Sequence, residues 1–431
     1  MNRTSAWDWA VLIGVVLTVL AAPTQYSLRI PTGAAHTFAD IGVAPADVLL
    51  AVTAVVWGIG VLAQRRLGSL RWPPPAAWIF LALCVPSVFW AGSRMRALAE
   101  LAQYFAYFFV GYLVLVNVLA TSKRRAAVVY ALLVGLALNL GLAAWQYLAG
   151  QSAVQVGGAL ANRNLLGAYF CLLVPLASAT DFFTGRVWLR LAGAILAVAP
   201  LFFIMAGGPF LALLVSLGII IGIRNFRMVP AYLAAVVVLV IFIFPALPRN
   251  NAVELSRSLF LYDEQATDEG HQVARRYLEW QAGLKSLDSR QAVHTDRGTY
   301  IRHMLLGQGL GVYEKEIGRL WGAMPDPKEN VVEPDSQNQY VVLAVSAGLP
   351  AALAFVWLLV TYARGGWSAL SSASAPLDQA LAAGTLAAMV AIGLAGFFTV
   401  AIARGVGLIL VTLAATAAAA GKAGSQSGGP S

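Results

Sequence analysis

The side chains able to do chemistry in this sequence gather in one stretch, about Pro248 to Ser336, and at the edges of the apolar runs beside it. Arg163, Arg275, Arg276 and Arg404 are the cations that stand out, and Arg404 lies inside an otherwise apolar run, where a charge is costly. Guanidinium groups bind phosphate oxygens in a fork, so several converging at one point would hold a phosphate or pyrophosphate. The plainer reading is that such arginines reach up to anionic lipid headgroups. Asn162-Arg163-Asn164 precedes an apolar run. Asparagine is a good helix cap, and a helix start attracts anions. Glu333 and Asp335 precede Gln337-Asn338 at the start of another run. A partly desolvated carboxylate there could take a proton from a hydroxyl group, or Asp335 and Ser336 could simply cap the helix. The four histidines, His36, His271, His294 and His303, have no metal-ligand spacing. Gly307-Gln-Gly-Leu-Gly311 is neither a nucleotide-binding fingerprint nor a phosphate loop, and reads as a turn that lets backbones approach.

These groups sit in a chain that is 59% hydrophobic and only 11% charged over 431 residues. Soluble domains carry about 25% charged residues, so the composition specifies an all-α integral membrane protein. A spanning helix takes roughly 20 apolar residues, and the runs allow about twelve. They fall near 9–22, 45–63, 76–92, 97–119, 126–148, 162–181, 187–206, 209–223, 228–247, 337–362, 378–398 and 400–420. The pair meeting at Gly207-Gly208-Pro209 reads as two spans or as one broken helix.

The net charge of +9 would suggest nucleic acid in a soluble protein. Here it follows the excess of arginine in cytoplasmic loops, and membrane lipids rather than nucleic acid are the expected partner. Arg65, Arg66 and Arg71, then Lys123, Arg124 and Arg125, then Arg186 and Arg190, then Arg224 and Arg227 fall in alternate loops. Both termini are therefore expected in the cytoplasm and the long polar stretch outside. The expected organisation is N-terminal spans over 1–247, an external loop over 248–336, C-terminal spans over 337–420 and an unstructured tail over 421–431. Within the loop, Tyr277, Leu278, Trp280 and Leu284 recur at helical spacing and predict an amphipathic helix. Cys84 and Cys171 fall within spans and read as packing residues.

Three segments together resemble the superfamily of O-antigen ligases and O-antigen polymerases. One is Asn162-Arg-Asn164 with its flanking Gly158-Ala-Leu-Ala and the later Val174-Pro175. Another is Arg276-x-x-x-Trp280 followed by Gly307-x-Gly-x-Gly311. The third is Gln337-Asn338-Gln339-Tyr340 followed by Ala347-Gly-Leu-Pro350. The resemblance implies a GT-C-like helical bundle with one large periplasmic loop in a bacterial inner membrane. It implies transfer of an undecaprenyl-diphosphate-linked glycan to a glycan or lipid A-core acceptor, with no cofactor, metal or nucleotide sugar. Arg276 matches the family's loop arginine and Asn338 the asparagine of its His-Asn motif. Arg275, Arg163 and Arg404 would assist at the diphosphate, Asn162, Asn164 and Trp280 would line the substrate, and Asp335 and Gln337 would face the acceptor. The chain departs from the family at two places: Gln337 stands where ligases carry the motif histidine, and Ala206-Gly-Gly-Pro209 stands where many members carry Ser-Arg-Gly. A membrane transporter and a non-catalytic scaffold of a polysaccharide-export complex remain as rival readings.

Overall fold

The structure, a computed structural model, describes residues 6–24, 28–30, 41–151, 156–160, 162–204, 206–243, 280, 283–284, 287, 297–311, 313, 338–402 and 405–427. Every apolar run read above falls on a helix. In chain order these are α1 (Ala6–Ala21), α2 (Pro45–Ala63), α3 (Pro75–Trp90, its last turn tightened to 3-10), α4 (Arg94–Val118), α5 (Ser122–Leu148), α6 (Arg163–Phe183), α7 (Val187–Phe203), α8 (Gly207–Arg224) and α9 (Phe226–Ile243). After the loop come α10 (Arg297–Leu306), α11 (Gln339–Ala347), α12 (Leu349–Ser372), α13 (Pro376–Ala395) and α14 (Gly405–Ser427). Among the described residues, eight of these are long and apolar enough to cross a membrane: α2, α4, α5, α6, α8, α9, α12 and α13. Four more, α1, α3, α7 and the apolar part of α14, are shorter.

One helix sits at the centre. All of α6 from Arg163 to Thr180 is buried, whereas α9 buries none of its residues. A helix apolar on every side needs neighbours on every side. α7, α8 and α13 supply them, brought close by small residues. A Cβ on Gly384 of α13 would lie 2.7 Å from the Leu176 Cα, and one on Gly193 of α7 would lie 2.6 Å from the Ala177 carbonyl oxygen. The C-terminal helices thus interleave with the N-terminal ones, and the main apolar core runs from α1 to α14. Helices α1–α9 and α11–α14 form one bundle.

Several local details depart from these expectations or sharpen them. The run 337–362 is not one helix: it breaks at Gly348, whose φ is +91°, between α11 and α12. Packing forces the break, since a Cβ there would sit 2.3 Å from the Leu305 carbonyl oxygen. The loop between α1 and α2 holds a short antiparallel ribbon, Leu28–Ile30 on Ile41–Val43, within an otherwise helical chain. The runs meeting at Gly207-Gly208-Pro209 form two helices, α7 and α8. α14 continues to Ser427, past the start of the segment read as an unstructured tail.

Candidate functional site

The motif segments that lie within the described residues meet at one end of the bundle, opposite the arginine-bearing turns. The start of α6 is the centre of this end, and it is recessed. Residues 157–159 run back alongside α5 before α6 begins, and two amides on one face of α5 take up their backbone groups. Gln146 Oε1 accepts from the Gly157 and Gly158 N–H groups at 3.1 and 2.8 Å, and its Nε2 donates to the Gly158 carbonyl at 3.2 Å. Asn139 Oδ1 accepts from the Ala159 N–H at 3.1 Å. Asn139 lies nine residues before the end of α5, about two and a half turns down. Irregular backbone at such depth persists only where protein satisfies it.

α6 therefore starts inside the bundle. Asn162 caps it, its Oδ1 accepting from the Asn164 and Leu165 N–H groups at 2.7 and 3.3 Å. Arg163 and Asn164 are buried, at 7% and 4% exposure. Burial removes the headgroup-seeking explanation for Arg163. The Oδ1 of Asn164 is buried without a hydrogen-bond partner among the described residues.

A second helix start lies at the same end. Asn338 caps α11, its Oδ1 accepting from the Tyr340 and Val341 N–H groups at 3.0 and 3.1 Å. Gln339, fully buried, ties this start to the turn after α13: its N–H donates to the Gly396 carbonyl at 2.8 Å and its Oε1 accepts from the Ile402 N–H at 3.1 Å. Its Nε2 is buried and lacks a partner among the described residues. Because α6 and α13 cross at Leu176 and Gly384, one short run of helix leads from that crossing to Asn164 and another to Gly396. α8 begins here too. A Cβ on Gly167 of α6 would lie 2.6 Å from the Pro209 Cβ, and one on Gly208 would strike Phe398. The smallness of Gly207-Gly208-Pro209 is thus a packing requirement. Three helix N-termini, each with a partial positive charge, thus lie at the end of the bundle that also holds buried Arg163.

The described part of the long loop docks on this end. The Trp280 ring lies 6.3 Å from the Phe398 ring, and Leu287 and Tyr313 enter the main core. The face turned inward is Trp280, Gly283 and Leu287; Leu284, expected on the apolar face, is 55% exposed. The glycine turn lies flat on the end of α11. The Gln308 and Gly309 N–H groups donate to the Val345 and Ser346 carbonyls at 2.8 and 2.9 Å. Gly311 meets α4, where its backbone N–H donates to the Glu100 carboxylate, which also accepts from the Tyr104 hydroxyl at 2.8 Å and lies beside Arg96.

Of the residues singled out from sequence, Asn162, Arg163, Asn164, Trp280 and Asn338 lie at this end. Arg275, Arg276, Asp335, Gln337 and Arg404 fall outside the described residues. Sequence reasoning missed Asn139, Gln146, Gln339 and Glu100. A signal existed for three of them: amides and carboxylates inside apolar runs are costly and need a reason. Gln339 was read only as part of a motif. Known proteins add no assignment: no protein-family model and no curated protein matches the chain.

Proposed function

We propose that the chain is a metal-independent glycosyltransferase of the bacterial inner membrane, moving an undecaprenyl-diphosphate-linked glycan to a glycan or lipid A-core acceptor at the periplasmic face. The observation that carries this reading is the recessed start of α6, where Arg163 and Asn164 are buried at the same end of the bundle as the capped start of α11 and the docked Trp280. Helix N-termini and an arginine gathered at one end suit a diphosphate leaving group, whose stabilisation can dominate a transfer of this kind. On this reading the eight long helices and four shorter ones make twelve spans of a GT-C-like bundle, with both termini cytoplasmic and 248–336 as the periplasmic loop.

In the proposed reaction an acceptor hydroxyl oxygen bonds to the anomeric carbon. The bond from that carbon to the diphosphate breaks, and undecaprenyl diphosphate leaves with the electron pair. Arg276 holds the diphosphate, aided by Arg163, Arg275 and Arg404. Gln337 and Asn338 orient the acceptor, and Asp335 takes the hydroxyl proton, since a Gln at 337 has no basic group.

The test is incubation of purified chain in liposomes with undecaprenyl-diphosphate glycan. Longer or transferred glycan and released carrier are expected, and Arg276→Ala is expected to abolish both. Full activity in Arg276→Ala would remove this site assignment. One observation favours a second reading, transport: a helix that starts inside the bundle behind irregular backbone is a common transporter device. Uptake of an anionic solute into the same liposomes without glycan transfer would select it.

A further inference from the structure

The helix α10 belongs to the long polar stretch, yet one of its faces is apolar and uncovered. Tyr300, His303 and Met304 recur at helical spacing and turn inward, half-buried, with Met304 packed against the main core. On the other side Ile301 and Leu305, one turn apart, are 46% and 51% exposed. A helix bathed in water carries polar residues on its outer face. Here the outer face pairs those two apolar side chains with the exposed Arg302, and no acidic residue occurs between Arg297 and Leu306.

The helix lies across the ends of two others. The Arg302 guanidinium stands 5.6 Å from the centre of the ring of Trp90, the last residue of α3. The Leu305 carbonyl lies against Gly348, at the head of α12. Exposed apolar surface runs on from both ends: Phe89 precedes Trp90 on α3, and Leu349 and Leu353 are the first outward leucines of α12. α12 is long and apolar enough to cross a membrane. Its outward leucines are the surface such a span offers to hydrocarbon, and Leu305 extends that surface beyond the Gly348 break. Tryptophan at the end of a span, with an arginine reaching outward over it, is what the boundary between headgroups and acyl chains selects. We infer that α10 is an interfacial helix, lying along the bilayer leaflet at this end of the bundle. Ile301 and Leu305 sit at the level of the headgroups and first acyl carbons, and Arg302, braced on Trp90, meets lipid phosphate. The face is thus covered by a phospholipid leaflet rather than by water or a protein partner. This inference goes beyond glycan transfer and does not depend on it.

The experiment is depth-dependent quenching. The full-length chain with Leu305→Cys is labelled with an environment-sensitive fluorophore, Cys84 and Cys171 being buried. It is then reconstituted into vesicles of phosphatidylethanolamine and phosphatidylglycerol carrying bromine either near the headgroup or near the chain end. The expected result is a large loss of fluorescence with the shallow bromine and a small one with the deep bromine. Ile301→Cys, on the same face, should repeat the pattern and decides where Leu305→Cys fails to fold. Val360→Cys, exposed midway along α12, should show the reverse order, and Ser69→Cys, in an exposed turn, should show neither loss. Labels at 301 and 305 that behave like the one at 69 would mean that water or the rest of the loop meets this face, and would overturn the inference. Labels that behave like the one at 360 would make α10 an inserted helix, and would overturn it too.

Discussion

Single polar side chains do disproportionate work in this chain because nothing around them can replace their hydrogen bonds. Arg125, counted from sequence as one more cytoplasmic positive charge, shows this. It is 3% exposed and grips Asp378 in a fork, Nε to Oδ1 at 2.8 Å and Nη2 to Oδ2 at 2.6 Å. Its remaining Nη1 donates to the Leu119 and Ala120 carbonyls. The pair fastens the start of α5 to the start of α13. Breaking a buried pair strands a charge, at a cost of about 3–5 kcal/mol, whereas replacing both members with apolar groups is often neutral. Asp378→Asn should therefore lower the thermal midpoint in detergent sharply, and Arg125→Met with Asp378→Leu should restore most of it. Asp378→Asn unfolding with the wild type would show that the pair contributes nothing.

The glycine turn of the loop is the element whose shape was most legible before its setting was. Spacing alone marked Gly307, Gly309 and Gly311 as a place of close backbone approach. The structure adds what approaches: Gly307 lies against Ser346, Gly309 against Ala91, and Gly311 against Arg96, all at positive φ. A side chain at Gly309, where φ is +123° and the Ala91 Cα would be 2.5 Å from the new Cβ, meets both strain and collision. Gly309→Ala should cost at least the 1–3 kcal/mol of an unfavourable backbone conformation. Hydrogen exchange is the measurement: the Gln308 and Gly309 amides, which hold the turn to α11, should lose protection in the variant, while amides in α6 keep theirs. Unchanged protection at both would mean the turn is not what docks the loop. The short α11 beside it was illegible for the converse reason. Its residues are as apolar as the span they precede, and only the Gly348 break against Leu305 separates the two.

For the whole molecule, the arrangement of arginines implies an orientation that helices alone do not carry. Cysteine labelling reads it directly, because Cys84 and Cys171 are fully buried and silent. Ile301→Cys, at the loop end, should react with an impermeant maleimide in intact spheroplasts. Ser69→Cys, between α2 and α3, should react only after the membrane is opened. The reverse pattern would invert the topology and move the candidate site to the cytoplasm. Chain order leaves open how the N- and C-terminal sets of spans meet; in the structure α6 packs against α13, and α4 and α5 have neighbours in α14.

The sequence by itself determined the apolar, membrane-type composition of this protein and the places of its long apolar helices. Both follow from local sums, apolar content over a window and the cost of an unpaired backbone group in lipid. It also marked Asn162 as a cap, because a cap is a property of three or four adjacent residues, but offered Asp335 or Ser336 where Asn338 caps the next helix. Only the tertiary structure decided that α6 starts inside the bundle, since Asn139 and Gln146 must meet Gly157, Gly158 and Ala159 across a turn of chain. It alone joined Gln339 to Ile402, 63 residues away, and Arg125 to Asp378, 253 away. Those contacts depend on which helices become neighbours, and among spans of nearly uniform hydropathy that choice rests on glycine-sized gaps and single polar groups rather than on any periodic pattern.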